Sequence, residues 1–456
     1  MAFLDDSYLL KGQTARNLFA AVKGLPVVDP HNHANTQEIA ANANYPDLWQ
    51  LFAGTDHYVW SVMRKCGVAE DYITGAATSK EKWLKLAAIF PRVAGNPVYE
   101  WVHLDLRRGL GIDSVIDARS AEAIWDLGNR ILAKDSMRPQ ALLGKMNVEV
   151  MCSTDDPVDL LEGHGVINAA AGRRLVRPTW RPDKAMNIFK PDWRDYVKKL
   201  QRRFTAEFKS IDDLLQALQT SHDYFQGKGC RASDHAVVTP LSGAASPKKA
   251  GKAFKKAFLD KAPLDPDEQE AFMSHLMGEM AEMNAKSGWV TQIHIGAVRD
   301  VRDSIASSLG PDSGGDVSDH FIDILPPLRS FLNRFDGRLK VVLYCLDPSH
   351  QQTLTTLSHI YDHNVRLGSA WWLLDTPVGM RRQLEYIGSV ELLSNFAGMV
   401  SDSRKLLSYQ SRFEVFRRVL CDTVAAMVDH GQMPHDVAET LVKNICYDNP
   451  KGFFGI

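Results

Sequence analysis

Two histidines spaced by one residue, in Asp29-Pro30-His31-Asn32-His33, are the first chemistry this chain offers. Side chains alternate along extended backbone, so His31 and His33 point the same way, and two imidazoles on one side can hold one divalent cation. Far along the chain, Ser401-Asp402-Ser403-Arg404 offers a carboxylate for the same ion or for acid–base work. Arg404, two residues on, can hold an anionic oxygen. An aspartate ahead of a helix also serves as an N-cap, so Asp402 alone decides nothing. Further ionisable groups stand in Ser153-Thr154-Asp155-Asp156-Pro157, Arg181-Pro182-Asp183-Lys184 and Arg231-Ala232-Ser233-Asp234-His235, and at His294 with Arg299 beyond it. Trp371 and Trp372 are either core or the apolar wall of a pocket. Another concentration is Gly54-Thr55-Asp56-His57-Tyr58, followed by Trp60 and Arg64. Helical spacing puts Asp56, Trp60 and Arg64 on one face with His57 beside them. The Tyr58 phenol, ordinarily titrating near pH 10, needs a nearby cation to become a base.

These groups fall at the ends of short apolar runs. The runs are 25–29, 148–153, 175–180, 236–238, 289–295, 340–346, 365–372 and 396–402. Their length and Val/Ile/Leu content suit strands of a parallel sheet buried on both faces. Helix-like stretches at 191–208, 210–226, 265–287, 318–335, 350–361, 377–393 and 411–430 lie between them. The alternation predicts an α/β fold, a distorted (β/α)8 barrel with large helical insertions after strand 1 and around strand 4. Residues 1–34 then form an N-terminal segment and strand 1, and 35–145 a mostly helical insertion. Residues 146–410 form the rest of the barrel, with a second insertion near 239–264, and 411–456 form C-terminal helices packing on it. Lysines 248, 249, 252, 255 and 256 in that second insertion read as a solvated helix face. Ionisable groups at nearly every strand end converge on one mouth, which suits a small, polar, anionic substrate.

Bulk properties exclude several classes. A net charge of -2 gives no basic field for nucleic acid. No apolar run approaches the ~18 residues that span a bilayer, and MAFLDDSYLLKG lacks the cationic and apolar regions of a signal peptide. The six cysteines carry no CxxC spacing and read as free cytoplasmic thiols. A homo-oligomer in the cytoplasm, binding a small molecule and neither nucleic acid nor membrane, is the expectation.

Taken together, DPHNH (29–33), GTDHYVWSVMR (54–64), GNPVYEWVHLDLRRGLGI (95–112), CSTDDPVD (152–159), RPDKAMNI (181–188), GCRASDH (229–235), QIHIGAVR (292–299), GSAWW (368–372) and SDSRKLLSY (401–409) resemble the uronate isomerase family of the amidohydrolase superfamily, over essentially the whole chain. The resemblance implies aldose–ketose isomerisation of hexuronates, glucuronate to fructuronate and galacturonate to tagaturonate, through a cis-enediol. It implies a divalent cation on His31, His33 and Asp402, with zinc expected and manganese or iron also compatible with the donors. Asp402, Tyr58, Arg404 and His57 become the expected catalytic residues. Arg181, Arg64, His294, Trp371, Trp372 and Asp183 become the expected substrate contacts. Either Tyr58 or Asp402 moves the proton. Two departures stand out: DPHNH where many relatives have Asp-Tyr/Phe-His-Cys/Gly-His, and GSAWW where many have GSGWW. A metal-dependent hydrolase using His235 or His294, and a non-catalytic sugar-acid sensor, are the competing readings.

Overall fold

The structure is a computed structural model describing residues 3–456. Seven parallel strands form one curled sheet in the order β1-β2-β3-β4-β5-β8-β9: β1 (Val27–Asp29), β2 (Val148–Asp155), β3 (Val176–Trp180), β4 (Ala232–Val237), β5 (Val290–Ile295), β8 (Lys340–Cys345) and β9 (Val365–Leu367). A two-stranded antiparallel ladder, β6 (Ala297–Val298) with β7 (Val317–Ser318), stands apart. Every residue of β5 is buried, as a strand covered on both faces requires.

Four expectations need correction. The fourth strand is Ala232–Val237, not 236–238, so Asp234 sits inside the sheet. The run 365–372 is strand only through Leu367. The predicted helix 318–335 begins at Leu325, after β7. The run 396–402 forms no strand. Positive φ at Gly398 (101°) and Asp402 (47°) prevents a regular ladder there. Individual bonds replace it. Ala397 N–H donates to the Leu367 carbonyl at 3.0 Å, Asp402 N–H to that of His31 at 3.1 Å, and His33 N–H to that of Ser403 at 3.0 Å. The buried Asp29 carboxylate takes the Ser401 N–H at 2.9 Å and its hydroxyl at 2.6 Å.

The segment between β1 and β2 is helical, with short helices from Thr36–Ala41 to Pro139–Lys145. Asp56 N-caps the helix His57–Lys65, its carboxylate accepting from Tyr58 and Val59 N–H. In the same segment, His103 Nδ1 lies 2.7 Å from the Tyr99 carbonyl oxygen, and Nε2 accepts the Ile116 N–H at 2.9 Å. These partners satisfy the neutral ring only, and burial pushes its pKa down to about 4. The folded value lies below the unfolded one of about 6.5, so the contribution is full above pH ~6.5 and is lost as pH falls toward 4. We expect unfolding free energy to fall across that window by about 1.4 kcal/mol per pH unit for such a group. His103→Asn should remove that much slope in urea titrations at several pH values.

The six cysteines are all free. Among the described residues no helix is long and apolar enough to cross a membrane. The helix Pro247–Phe254 buries Ala250, Ala253 and Phe254, and turns Lys248, Lys249 and Lys252 outward. The long helix Ser408–Asp429 is largely buried and packs against the helix Gly12–Val22.

Candidate active site

Beyond β1 the backbone stays extended, and alternation does what the spacing promised. Asn32 turns sideways, its amide donating to the Cys152 carbonyl of β2 at 2.9 Å. His31 and His33 face Asp402. Both Nε2 atoms lie 3.2 Å from Asp402 Oδ1. That separation suits a cation: two ligands at ~2.0–2.1 Å and a tetrahedral angle stand about 3.3 Å apart. Asp402 Oδ2 accepts the Trp371 indole N–H at 2.9 Å, which fixes the carboxylate plane. Burial opposes ionisation of Asp402, yet the two imidazoles outweigh it and hold the carboxyl well below its usual range.

A second cluster shares His31. Its Nδ1 has no hydrogen-bond partner and faces Asp234 Oδ2 at 3.8 Å, while Asp234 Oδ1 binds His294 Nδ1 at 2.7 Å. His31, Asp234 and His294 thus form another donor set able to hold an ion. Arg181, however, already neutralises Asp234, with Nη1 3.1 Å from Oδ2, and its Nε binds Asp183 at 3.0 Å. Asp183 also takes the Ala236 N–H at 3.0 Å. Asp234 therefore suits a buried orienter of two histidines better than a ligand. The buried His294 Nε2 is left without a partner beside His31 and Trp371, with ring centroids 4.4 and 4.7 Å away. The donor set of His31 Nε2, His33 Nε2 and Asp402 Oδ1 fits one divalent cation.

The insertion supplies the opposite wall. His57 and Tyr58 stack at 4.4 Å, and His57 meets Trp372 edge-on at 5.8 Å. Burial, reinforced by the Arg404 guanidinium, pushes the His57 pKa down to about 4, so the ring is neutral, with Nε2 buried and unpartnered. Burial also lifts the Tyr58 phenol above its ordinary value, against the pull of Arg412. The Arg412 guanidinium lies 5.1 Å from the Tyr58 ring and 3.6 Å from that of Trp101, and pairs with Asp375 at 3.0 Å. A cavity of about 380 Å³ is lined by His57, Tyr58, Trp101, Asp402, Arg404 and Arg412, among others. Another of about 750 Å³ shares His57, Tyr58 and Trp101 and adds Trp372.

Lys405 locks this wall to the segment bearing Asp402. It is buried, with Nζ 2.9 Å from Asp56 and 3.0 Å from Asp105. Burial disfavours its charge, but the two carboxylates more than restore it. Lys405→Met leaves both without a counter-charge, and we expect a loss of about 3–5 kcal/mol in urea unfolding. Lys405→Arg should recover part of it.

The loop 296–324 forms a cover that the apolar runs did not reveal. Asp312 pairs with Arg404 at 3.2 Å, and Asp316 with Arg299 at 2.9 Å. Arg299 in turn lies over the Trp372 ring at 4.6 Å. Arg64 does not join the cluster. Its fork closes on Glu70 at 2.7 Å and its remaining nitrogen binds the Ser313 carbonyl, so it fastens the cover to the insertion. The Asp155–Asp156 pair is structural too: Asp155 accepts from Ser153 at 2.7 Å, and Asp156 from Tyr196 at 2.6 Å. Asp234, Asp312, Asp375, Lys405, Trp101 and Arg412 are the groups at the site that sequence reasoning did not select. Asp234 in GCRASDH, Trp101 in GNPVYEWVHLDLRRGLGI and Lys405 in SDSRKLLSY stand within matching motifs, whereas Asp312, Asp375 and Arg412 carried no signal.

A family model described as glucuronate isomerase matches residues 1–454. The uronate isomerase of Thermotoga neapolitana is 49% identical over 452 residues, covering 99% of both chains. The crystal structure of uronate isomerase from Thermotoga maritima superposes with a TM-score of 0.97 at 48% identity, covering 100% of both chains. That of glucuronate isomerase from Caulobacter crescentus gives 0.95 at 28% identity, covering 100% of this chain and 97% of the other. The chain belongs to the glucuronate isomerase family. It is an isomerase, and the hydrolase reading is not favoured. Within this glucuronate isomerase family member, His235 turns away from the cluster, with Nε2 2.8 Å from Ser233 Oγ. Gly368 of the GSAWW motif is dictated by packing. A Cβ there would stand 2.0 Å from the Tyr344 ring, the ring that stacks on His294 at 4.3 Å. Ala370, the departure within that motif, is simply buried core.

Proposed function

We propose that this chain interconverts open-chain hexuronates and their 2-keto isomers, glucuronate with fructuronate and galacturonate with tagaturonate. The carrying observation is the meeting of His31, His33 and Asp402 at 3.2 Å beside Arg404 and the His57–Tyr58 stack. Segment 396–403 acts as the eighth stave of a distorted (β/α)8 barrel, bringing Asp402 next to β1. A divalent cation, zinc by our reading of the mixed imidazole–carboxylate set, would be held by His31, His33 and Asp402 and would supply positive charge for an anionic substrate.

The chain's own groups do the rest. The difficulty is the weak acidity of the C2 proton, so negative charge developing on the O1–O2 pair must be stabilised as that proton leaves. Arg404, with Arg181 behind, is placed to support it. Both Asp402 oxygens are engaged and its carboxyl is held well below its usual range, which makes it a poor base. Tyr58, as the phenolate that the neighbouring Arg412 guanidinium favours, is therefore our assignment for the group that takes the proton from C2 and returns one to C1. O1 gains a proton to give the cis-enediol and O2 then loses one, so the balance closes with no net proton change. One base suffices because the adjacent C1 and C2 of the planar cis-enediol, with O1 and O2 on the same side of the double bond, present the same face to it. The neutral His57 accepts from a sugar hydroxyl through Nε2, and His294 Nε2 serves similarly across the cavity. Trp371 and Trp372 wall the mouth.

The test is ketose formation by zinc-loaded protein from a panel of hexuronates, with C2-deuterated glucuronate among them. Ketose from glucuronate and galacturonate, with a primary isotope effect at C2, is the expected result. Hydrolysis of esters or lactones without ketose would refute the reading.

A further inference from the structure

A cavity of about 1250 Å³ lies away from the chemistry. It opens at the N-terminal ends of β1 and β2, by Val27 and Asn147, on the face opposite Asp402. In barrel folds that face carries stability rather than catalysis. Six lining side chains are cationic and two are carboxylates, an excess of four positive charges in a chain whose net charge is -2.

Neighbouring groups do not absorb this charge. Glu414 is shared by Arg108, at 2.9 and 3.0 Å, and Arg418, at 2.9 Å. Lys145 reaches only the Gly109 carbonyl, at 2.6 Å. Lys23 is exposed, with no ion pair. Arg417 is the telling group. It is 5% exposed and, among the described residues, no carboxylate lies within ion-pair distance of it. It donates to the carbonyls of Pro26 at 2.9 Å and Lys23 at 3.4 Å, and its buried Nε meets no acceptor. A guanidinium buried without an anion is costly unless one is supplied. Burial accordingly lowers its pKa.

We infer that this cavity is a second, non-catalytic binding site for a small phosphorylated anion, with Arg417 at its floor and Lys23 and Lys145 at its rim. The volume exceeds what one phosphate group fills and suits a sugar phosphate. Guanidinium forks and ammonium groups are the side chains that recognise phosphate oxygens. Occupancy can reach the active site along the helix Ser408–Asp429. Arg417 stands five residues, about 7.5 Å, beyond Arg412, which faces Tyr58.

The test is isothermal titration of the zinc-loaded chain with fructose 1,6-bisphosphate as probe, with and without saturating glucuronate. Wild type should bind one equivalent whether or not glucuronate is present, with a rise in Tm of about 3 °C at a hundredfold excess over Kd. The Lys23→Gln/Lys145→Gln double variant should bind at least tenfold more weakly at unchanged kcat, and Arg417→Gln more weakly still. Should Arg417→Gln fail to fold, the double variant decides alone, since its substitutions are on exposed residues. No binding at millimolar probe, binding abolished by glucuronate, or full affinity in the double variant would each overturn the proposal.

Discussion

Asp402→Asn should lower kcat for glucuronate by about 10³-fold or more while the chain stays folded. The amide keeps the shape of the carboxylate but not its charge, and one of its two arms becomes a donor. Oδ1 now serves two imidazole nitrogens at once, each 3.2 Å away, and Oδ2 takes the Trp371 N–H. An amide cannot satisfy both sides as an acceptor, and it brings no negative charge to a cation. Bound metal, measured by atomic absorption after dialysis, should fall together with turnover. A variant that keeps both near wild-type values would remove Asp402 from the site.

Tyr58→Phe should cost about 10²–10⁴-fold in kcat with little change in KM. The substitution deletes one oxygen and leaves the ring against His57, Trp101 and Arg412. Burial raises the phenol's pKa, and Arg412 is the cation whose proximity works the other way and favours the phenolate that can take a proton. Arg404→Met is the useful contrast. It removes charge support for substrate and enediolate alike, and should raise KM as well as lower kcat. An unchanged rate in Tyr58→Phe with the C2 isotope effect retained would point back to Asp402 as the base.

How much of this could be read from sequence follows from where each residue's environment is made. His31 and His33 were legible because alternation along an extended chain is local. Asp402 and Arg404 were legible because an apolar run led up to them, although that run is not a strand: Gly398 and Asp402 take positive φ, and Asp29 captures Ser401. β4 was misplaced for a related reason. Ala232–Val237 holds three consecutive polar residues, Ser233, Asp234 and His235, which are buried only because Asn284, Arg181, His294 and Asp183 come to meet them. A search for apolar runs slides past such a strand. Lys405 and Arg412 were not singled out. What buries them is the pairing with Asp56, Asp105 and Asp375, residues brought from far along the chain. Arg64 erred the other way: it looked free for substrate, but Glu70 and Ser313 use its whole fork.

The central claim is that His31, His33 and Asp402 hold one catalytic cation. X-ray absorption at the metal edge of zinc-reconstituted protein, in wild type and His33→Ala, tests it most directly. One ion per chain is predicted, with two imidazole nitrogens and a carboxylate oxygen at about 2.0–2.2 Å, and one imidazole fewer in the variant. An unchanged first shell in His33→Ala, or full ketose formation by wild-type protein stripped of divalent metal, would contradict it.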